Sequence, residues 1–102
     1  MKLLAKRMKC NLEATDGHVE ALRALAHLTR LRIFFCLVRA GREMAAGEIQ
    51  AAVNIPGPTL SRHLDLLRRA GLIRSRRVER HIFSCVQSET VADLVCLLTA
   101  CC

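Results

Sequence analysis

The sequence has no apolar run that approaches about 18 residues, the length that a membrane-spanning helix needs. It has neither a Cys-x-x-Cys nor a His-Glu-x-x-His pattern, so a zinc finger or a zinc protease is unsupported. Internal repeats and low-complexity segments are also lacking. Near the start, the apolar stretch breaks after three residues, which is too short for the core of a signal peptide. We therefore expect a cytoplasmic protein with no membrane partner, whose thiols are kept reduced.

The sequence does contain enough apolar material for one folded domain. Its 102 residues are 52% hydrophobic, which excludes a disordered chain. A domain of this size buries only a modest core, so a dimer interface would be a natural source of further stability. The chain has six cysteines. In a reducing compartment they are interpreted as ligands, sensors or core residues rather than as a disulfide framework.

Positive charge is concentrated in one part of the chain. The formal net charge is +7, and residues 57–81 carry a net +5 because only Asp65 and Glu79 oppose seven arginines. A dense basic stretch favours a polyanionic partner, although a merely solvated face is the common alternative. Its placement on a predicted helix and hairpin favours nucleic acid. The arginines are Arg62, Arg68, Arg69, Arg74, Arg76, Arg77 and Arg80.

The periodicity of apolar residues predicts a mainly α fold with one small β-hairpin, in the order ααααββα. Helices are predicted over 16–27, 29–41, 45–53 and 58–70, strands over 72–77 and 80–86, and a last helix from Ser88. Residues 1–15 are predicted to form a basic arm and residues 16–102 the folded domain. The expected core-facing residues are Val19, Leu22, Ala26, Leu31, Phe34, Phe35, Val38, Leu60, Leu64, Leu67, Val91, Leu94, Val95 and Leu98.

The third and fourth helices, joined by a short turn with glycine, are typical of a helix-turn-helix. Thr59, Ser61 and Arg62 fall near the start of the fourth helix, where side chains meet phosphates and base edges in the major groove. His63 either touches phosphate or packs under the helix; the sequence leaves both open. The hairpin would act as a wing that reaches flanking phosphate or a minor groove through Arg76, Arg77 and Arg80.

Two segments resemble the ArsR/SmtB family of winged helix-turn-helix repressors. Residues 24–33, ALAHLTRLRI, are similar to the family signature ALADPTRLRI, with His27 and Leu28 in place of Asp and Pro. Residues 58–64 and 67–73, PTLSRHL and LRRAGLI, are similar to its recognition helix and the entry to its wing. The resemblance covers about residues 17–100. It implies a homodimer built on the first and last helices that binds an inverted-repeat operator in double-stranded DNA and leaves it when an inducer binds. It also implies that the protein is not an enzyme.

The resemblance also suggests where to look for an inducer site. The family's arsenic-type site has two cysteines where this sequence has Ala45 and Gly47, and its zinc-type site needs histidines that do not follow Asp93. Cys96, Cys101 and Cys102 remain, and soft thiolates select soft centres. We expect trivalent arsenic as the inducer: methylarsenite with two thiolates or arsenite with three, antimonite being possible.

Within this group, the adjacent pair Cys101 and Cys102 is expected to be essential and Cys96 an optional third ligand. On an ideal helix Cys96 points roughly away from the apolar stripe, so three ligands from one subunit would require the last turn to unwind. Cys36 and Cys85 are interpreted as core or structural residues. Cys10, in the arm, is a weaker candidate for contact with a partner's last helix.

Other functions remain open. Persulfide-sensing or redox-sensing relatives pair a second-helix cysteine with one on the last helix, which Cys36 and Cys96 resemble. Cys36 is one residue out of place, however, and one residue is about 100° of helix rotation. An inducer-independent DNA-binding protein is a further alternative. A thiol enzyme is disfavoured because no activating neighbour adjoins the cysteine pair.

Overall fold

The computed structural model describes residues 13–100, which form five helices and three strands. The first 12 residues, most of the predicted arm, and the pair Cys101 and Cys102 lie outside the described residues. In chain order the elements are α1 (Asp16–Leu25), α2 (Leu28–Ala40), β1 (Met44–Ala45), α3 (Ala46–Val53), α4 (Gly57–Arg69), β2 (Ile73–Val78), β3 (His81–Val86) and α5 (Ser88–Thr99). The predicted order of five helices and a hairpin is confirmed. In this part of the chain, no helix is both long and apolar enough to cross a membrane.

The sheet has one more strand than the sequence predicted. Its order is β1-β3-β2, and all pairs are antiparallel. The additional strand β1 pairs Met44 with Ser84 and Ala45 with Phe83. A strand of two residues is too short to show an alternating pattern, which is why the sequence did not indicate it. It joins the start of α3 to the inner strand of the hairpin.

Helix starts differ from the sequence prediction in three places. Thr15, not Asp16, caps α1: the Thr15 hydroxyl accepts a hydrogen bond from the backbone N–H of His18, and the His18 ring accepts one from the Thr15 N–H. His27, not Thr29, caps α2, because its Nδ1 accepts from the Thr29 N–H at 3.2 Å. Ser88 is the first helical residue of α5 rather than its cap. Histidine side chains therefore take part in the caps of both α1 and α2, although histidine is not a common capping residue.

The first helix turns a different face to the core from the one the sequence indicated, and in α2 only Phe34 is buried as predicted. In α1 the buried residues are His18, Ala21 and Ala24, whereas Val19 and Leu22 are 47% and 41% exposed. In α2 the buried residues are Ile33, Phe34 and Leu37, whereas Phe35 and Val38 are exposed. Both helices carry apolar residues around most of their circumference. Periodicity alone could not select the buried face, and the small alanines of α1 allow closer packing.

The core is a single cluster that joins all five helices to the sheet. Helix α4 contributes Leu60, Leu64 and Leu67 as the sequence predicted, and α5 contributes Leu94. Gly41 and Gly71, with φ of 61° and 77°, end α2 and follow α4 in the left-handed conformation that glycine adopts without strain.

One polar contact links the first helix to the last. The buried His18 ring lies 2.6 Å from Asp93, from Nε2 to Oδ2. Because Nδ1 of His18 accepts a backbone hydrogen bond from Thr15, the ring proton is on Nε2, which donates a hydrogen bond to Asp93. The contact therefore fixes α1 against α5 through a specific donor and acceptor.

Removal of this acceptor should destabilise the fold. Asp93→Ala leaves a buried His18 N–H without its partner, and we expect the free energy of unfolding to fall by about 1–2 kcal/mol. Glu20→Ala is the matched control, since Glu20 forms an exposed pair with Arg23 and should change stability by less than about 0.5 kcal/mol. Chemical denaturation at fixed protein concentration measures both. Equal effects of the two substitutions would show that the His18 contact does not hold the helices together.

Candidate nucleic-acid interface

The outward face of α4 is positioned by its buried face. Leu60, Leu64 and Leu67 are at most 5% exposed, which fixes the rotation of the helix about its axis. Thr59, Ser61 and Arg62, the residues predicted to contact DNA, consequently lie exposed on the opposite side. Asn54, with φ of 54°, ends α3 in the left-handed conformation and begins the turn into α4. The arrangement is a helix-turn-helix whose second helix presents small polar and basic side chains.

His63 is packed under the helix rather than directed outward. It is 9% exposed, and its ring centroid lies 4.9 Å from that of His27. Arg30 Nη1 lies 3.4 Å from Nδ1 of His63. Burial, and then repulsion from His27, Arg30 and Arg62, lower the pKa of His63 below its usual value. The structure thus agrees with the packing alternative, and contact of His63 with phosphate stays a prediction.

That cleft is a part of the site that the sequence did not indicate. It has a volume of about 560 Å³ and lies between the start of α2 and the first turns of α4. The sequence analysis identified His27 and Arg30 only as part of a segment that resembles a family signature and assigned them no function. The feature that could have indicated the cleft is the set of three basic side chains close to His63, which are those of His27, Arg30 and Arg62. The lining residues are His27, Arg30, Pro58, Thr59, Arg62, His63 and Leu66.

The wing is a hairpin with a two-residue turn. Val78 pairs with His81, so Glu79 and Arg80 form the turn, one residue further along the chain than the sequence predicted. Glu79 has φ of 56°, a conformation that normally favours glycine. The hairpin therefore forms with a glutamate in the left-handed conformation, and its turn contains no glycine.

The three wing arginines are in different environments. Arg76 Nε donates to Glu43 at 2.6 Å, and its guanidinium lies over the Phe83 ring, 5.3 Å from the centroid. Arg77 donates to a turn carbonyl at 3.2 Å. Arg80 is exposed at the wing tip. Arg77 and Arg80 are therefore exposed on the wing, whereas Arg76 is held against the body of the domain.

The outer end of α4 is less basic than its sequence suggests. Asp65 forms ion pairs with Arg68 and with Arg69. The hydrogen bond from Arg68 holds the pKa of Asp65 below its usual value. Since both arginines share one half-buried carboxylate, that end of α4 keeps a net charge of +1, the same as Arg62 alone supplies in the first turns.

The described cysteines do not form a metal site by themselves. Among residues 13–100, no three or more histidine, cysteine or acidic side chains are grouped closely enough to hold a metal ion. Cys36 is a free, half-buried thiol whose Sγ lies 3.8 Å from Sδ of Met44. Cys85 is also a free thiol, and its Sγ accepts from Arg74 Nε at 3.2 Å. Both sit within the packing of the domain, in agreement with a structural role.

Cys96 differs from expectation in two ways. It is 1% exposed although it lies about 200° around the helix from the buried Leu94, so it points away from the stripe as expected and is nevertheless buried. Within the predicted stripe, Leu94 is buried and Val91 packs against the core, as expected, whereas Leu98 is 56% exposed. Cys96 is also disulfide-bonded, whereas reduced thiols were expected. Cys10, Cys101 and Cys102 lie outside the described residues, so the predicted three-cysteine site stays a prediction.

Comparisons with known proteins agree with this geometry. Residues 25–76 match a family model described as a helix-turn-helix domain. The chain is similar to the HTH-type transcriptional regulator KmtR of Mycobacterium tuberculosis, 42% identical over 76% of the chain and 58% of that protein. It is also similar to the biofilm growth-associated repressor of Agrobacterium fabrum, 38% identical over 72% of the chain and 62% of that protein. The alignments thus span less than two thirds of either relative.

A solved structure has the same architecture. The homodimeric winged helix-turn-helix DNA-binding domain of Mb0332 from Mycobacterium bovis, described as a possible ArsR-family transcriptional regulator, superposes with a TM-score of 0.68. It is 30% identical, over 84% of this chain and 78% of that one.

The unequal environments of the wing arginines lead to a prediction. Arg80→Ala should weaken DNA binding and reduce the slope of log affinity against log salt concentration by about one for each phosphate interaction removed. Arg76→Ala is the matched control and should change the slope less, because Glu43 already neutralises that guanidinium. Fluorescence anisotropy over a salt series measures both slopes. A larger change in slope for Arg76→Ala would show that the wing rearranges on DNA.

Proposed function

The chain belongs to the ArsR/SmtB-like family of winged helix-turn-helix transcriptional regulators, and on that premise we propose that it is a repressor that binds operator DNA as a homodimer. The observation that carries the proposal is the exposed polar and basic face of α4, set beside a hairpin with Arg77 and Arg80. A helix of this kind fits the major groove with its first turns against the base edges. The net charge of +7 supplies the attraction to phosphate.

The roles of the interface residues follow from their positions. Arg62 has the fork of donors that matches a guanine edge, and Thr59 and Ser61 donate to phosphate or bases nearby. Arg77 and Arg80 contact the flanking backbone, which positions the helix without reading sequence. Binding to the chain's own promoter fragment, compared with an unrelated fragment of equal length, tests the proposal by anisotropy. Equal, salt-sensitive affinity for both fragments would instead support a DNA-binding protein without sequence preference.

Exposed apolar residues on the first and last helices support the dimer. Val19 and Leu22 on α1 and Leu98 on α5 are 47%, 41% and 56% exposed in the single protomer. The contact between His18 and Asp93 holds these two helices together. A domain this small gains from burying such residues against a second copy, and a two-fold dimer matches an inverted-repeat operator.

A charge placed on this surface should separate the protomers. Leu22→Glu puts a carboxylate into the proposed interface, and we expect a monomer with operator affinity reduced at least about tenfold, because the paired half-sites are no longer engaged together. Val38→Glu, a substitution of a similarly exposed apolar residue on α2, should remain dimeric. Analytical ultracentrifugation gives the oligomeric state. A dimeric Leu22→Glu protein would place the interface elsewhere.

We further propose that trivalent arsenic releases the repressor by binding Cys101 and Cys102, with Cys96 as an optional third ligand. Adjacent thiols are suited to a soft centre that takes two thiolates, such as methylarsenite, whose third bond is to its methyl group. Burial of Cys96 argues against its use as a ligand in the resting protein, since ligation there requires exposure of that face of the helix. Two-thiolate binding of methylarsenite is therefore favoured over three-thiolate binding of arsenite; antimonite would resemble arsenite.

Titration of the DNA complex tests this inducer. Methylarsenite should release the wild-type protein under reducing conditions at lower concentration than arsenite, and Cys101→Ser/Cys102→Ser should abolish the release while the operator is still bound. Cys85→Ser is a control for nonspecific thiol reaction. Full release of the double variant by either arsenical would exclude the cysteine pair as the inducer site.

A thiol-redox response is a second candidate, favoured by the disulfide of Cys96. The paired residue suggested by the sequence, Cys36, does not share that bond, since its thiol is free and lies against Met44. If a persulfide or oxidant releases the protein from DNA and Cys96→Ser prevents it, the redox function is supported. Retention of that response in Cys36→Ser would show that Cys36 is not part of it.

A further inference from the structure

A cavity of about 600 Å³ lies between the end of α2, the hairpin and α5. Small-molecule sites in proteins have volumes of about 300–1,000 Å³, and they are walled mainly by apolar side chains. None of the described residues that line this cavity belongs to α4 or to the wing tip, so the proposed DNA contacts do not use it. Six aliphatic side chains form most of its wall: Leu37, Val38, Val86, Val91, Ala92 and Val95.

Three charged side chains line the same cavity, and two of them already have partners of opposite charge. Arg42 Nη2 lies 2.9 Å from Oε2 of Glu48. Glu43 Oε2 accepts from Arg76 Nε at 2.6 Å. Arg74 is the third, and it forms no ion pair within residues 13–100. The cavity therefore has an aliphatic wall and one guanidinium that no carboxylate of the described chain binds.

Cys85 holds the Arg74 side chain at the cavity wall. The two residues are paired across the hairpin, so their side chains lie on one face of the sheet, and Arg74 Nε donates to Cys85 Sγ at 3.2 Å. This hydrogen bond, and more weakly the charges of Glu43 and Glu89, raise the pKa of Arg74, which stays cationic. Both terminal amino groups of the guanidinium are left over, and such a pair binds a carboxylate through two parallel hydrogen bonds.

The start of α5 adds hydrogen-bond donors to the same cavity. Ser88 is the first residue of this helix and lines the cavity. No side chain of the described residues caps the helix, so the backbone N–H groups of its first turn remain available to an acceptor. Glu89 in that turn is exposed and does not line the cavity. The positive end of the helix dipole therefore favours an anion on the side where Arg74 lies.

We propose that this cavity binds a small carboxylic acid with an apolar body, whose carboxylate is bound by Arg74 and whose body lies against the aliphatic wall. The inference is independent of the proposed operator binding and of the proposed arsenic site. A neutral apolar molecule would displace water from the guanidinium without replacing its hydrogen bonds, which lowers affinity. A small anion without an apolar body would leave the aliphatic wall in contact with water. The site therefore favours a ligand that has both parts.

Other parts of the chain suit the cavity less well. Residues 1–12 carry four basic side chains and no acidic one, so they would bring like charges to Arg74. The apolar residues of the proposed dimer surface, Val19, Leu22 and Leu98, do not line the cavity. A second copy bound through that surface therefore leaves the cavity open to a ligand.

The test uses octanoate as the probe and isothermal titration calorimetry of the full chain. Wild type should bind octanoate roughly tenfold more tightly than octanol, which has the same apolar chain without the charge. Arg74→Gln should lower the affinity for octanoate about tenfold and leave the affinity for octanol unchanged. Arg39→Gln, at an exposed arginine of α2 that does not line the cavity, is the matched control and should bind octanoate as wild type does. Equal affinities of wild type for the two probes, or unchanged octanoate binding by Arg74→Gln, would overturn the proposal.

Nuclear magnetic resonance of the wild-type protein locates the site without any substitution. Octanoate should shift the backbone amide signals of Cys85, Ser88 and Val91 most strongly. Shifts confined to Val19 and Leu22 would show that the acid adsorbs to the proposed dimer surface, which overturns the proposal. An affinity that falls as protein concentration rises would show that a second copy closes the cavity, and no binding by wild type would show that the cavity does not take an acid. Either result also overturns it, whereas operator binding is measured separately and stands or falls alone.

Discussion

Burial of the leucine face of α4 is the interaction on which the rest of the site depends. Leu60, Leu64 and Leu67 are buried in the common core, and each such side chain contributes about 2 kcal/mol of hydrophobic stabilisation. Their burial fixes both the rotation and the depth of the helix. Thr59, Ser61 and Arg62 therefore need no interactions of their own to be presented outward. The exposed side chains of α4 thus carry few constraints from packing, which leaves them available for the proposed contact with DNA.

The polar groups inside the fold are also satisfied. Within residues 13–100, no buried side-chain nitrogen or oxygen atom lacks a hydrogen-bond partner. Ser84, on the central strand, shares a 2.8 Å hydrogen bond with Ser75 across the hairpin, and His18 is bonded at both ring nitrogens. Buried polar groups of this kind fix one arrangement of the elements, since an alternative packing would leave them unpaired. The hairpin and the contact between α1 and α5 are specified in this way.

The sequence predicted the structure best where a helix has a single apolar face. The leucines of α4 and the outward position of Arg62 were predicted because that helix has a single apolar face and a distinct basic one. The prediction for α1 was wrong and that for α2 was right only at Phe34, because both helices have apolar residues on two faces. The burial of Cys96 was not predicted because it lies on a different side of α5 from Leu94. The cleft was missed because it depends on His27 and His63, which are distant in sequence and adjacent only once α2 crosses α4.

The small strand β1 has a mechanical consequence for the whole interface. It pairs with β3, and Glu43 just before it binds Arg76 on β2, so the wing is attached to the segment that leads into α3. A displacement of the wing is therefore transmitted to the start of α3, the first helix of the helix-turn-helix, through backbone pairing as well as through an ion pair. In the proposed dimer, we expect a signal at the interface to act by changing the angle and distance between the protomers, and so the spacing of the two half-sites that they can engage.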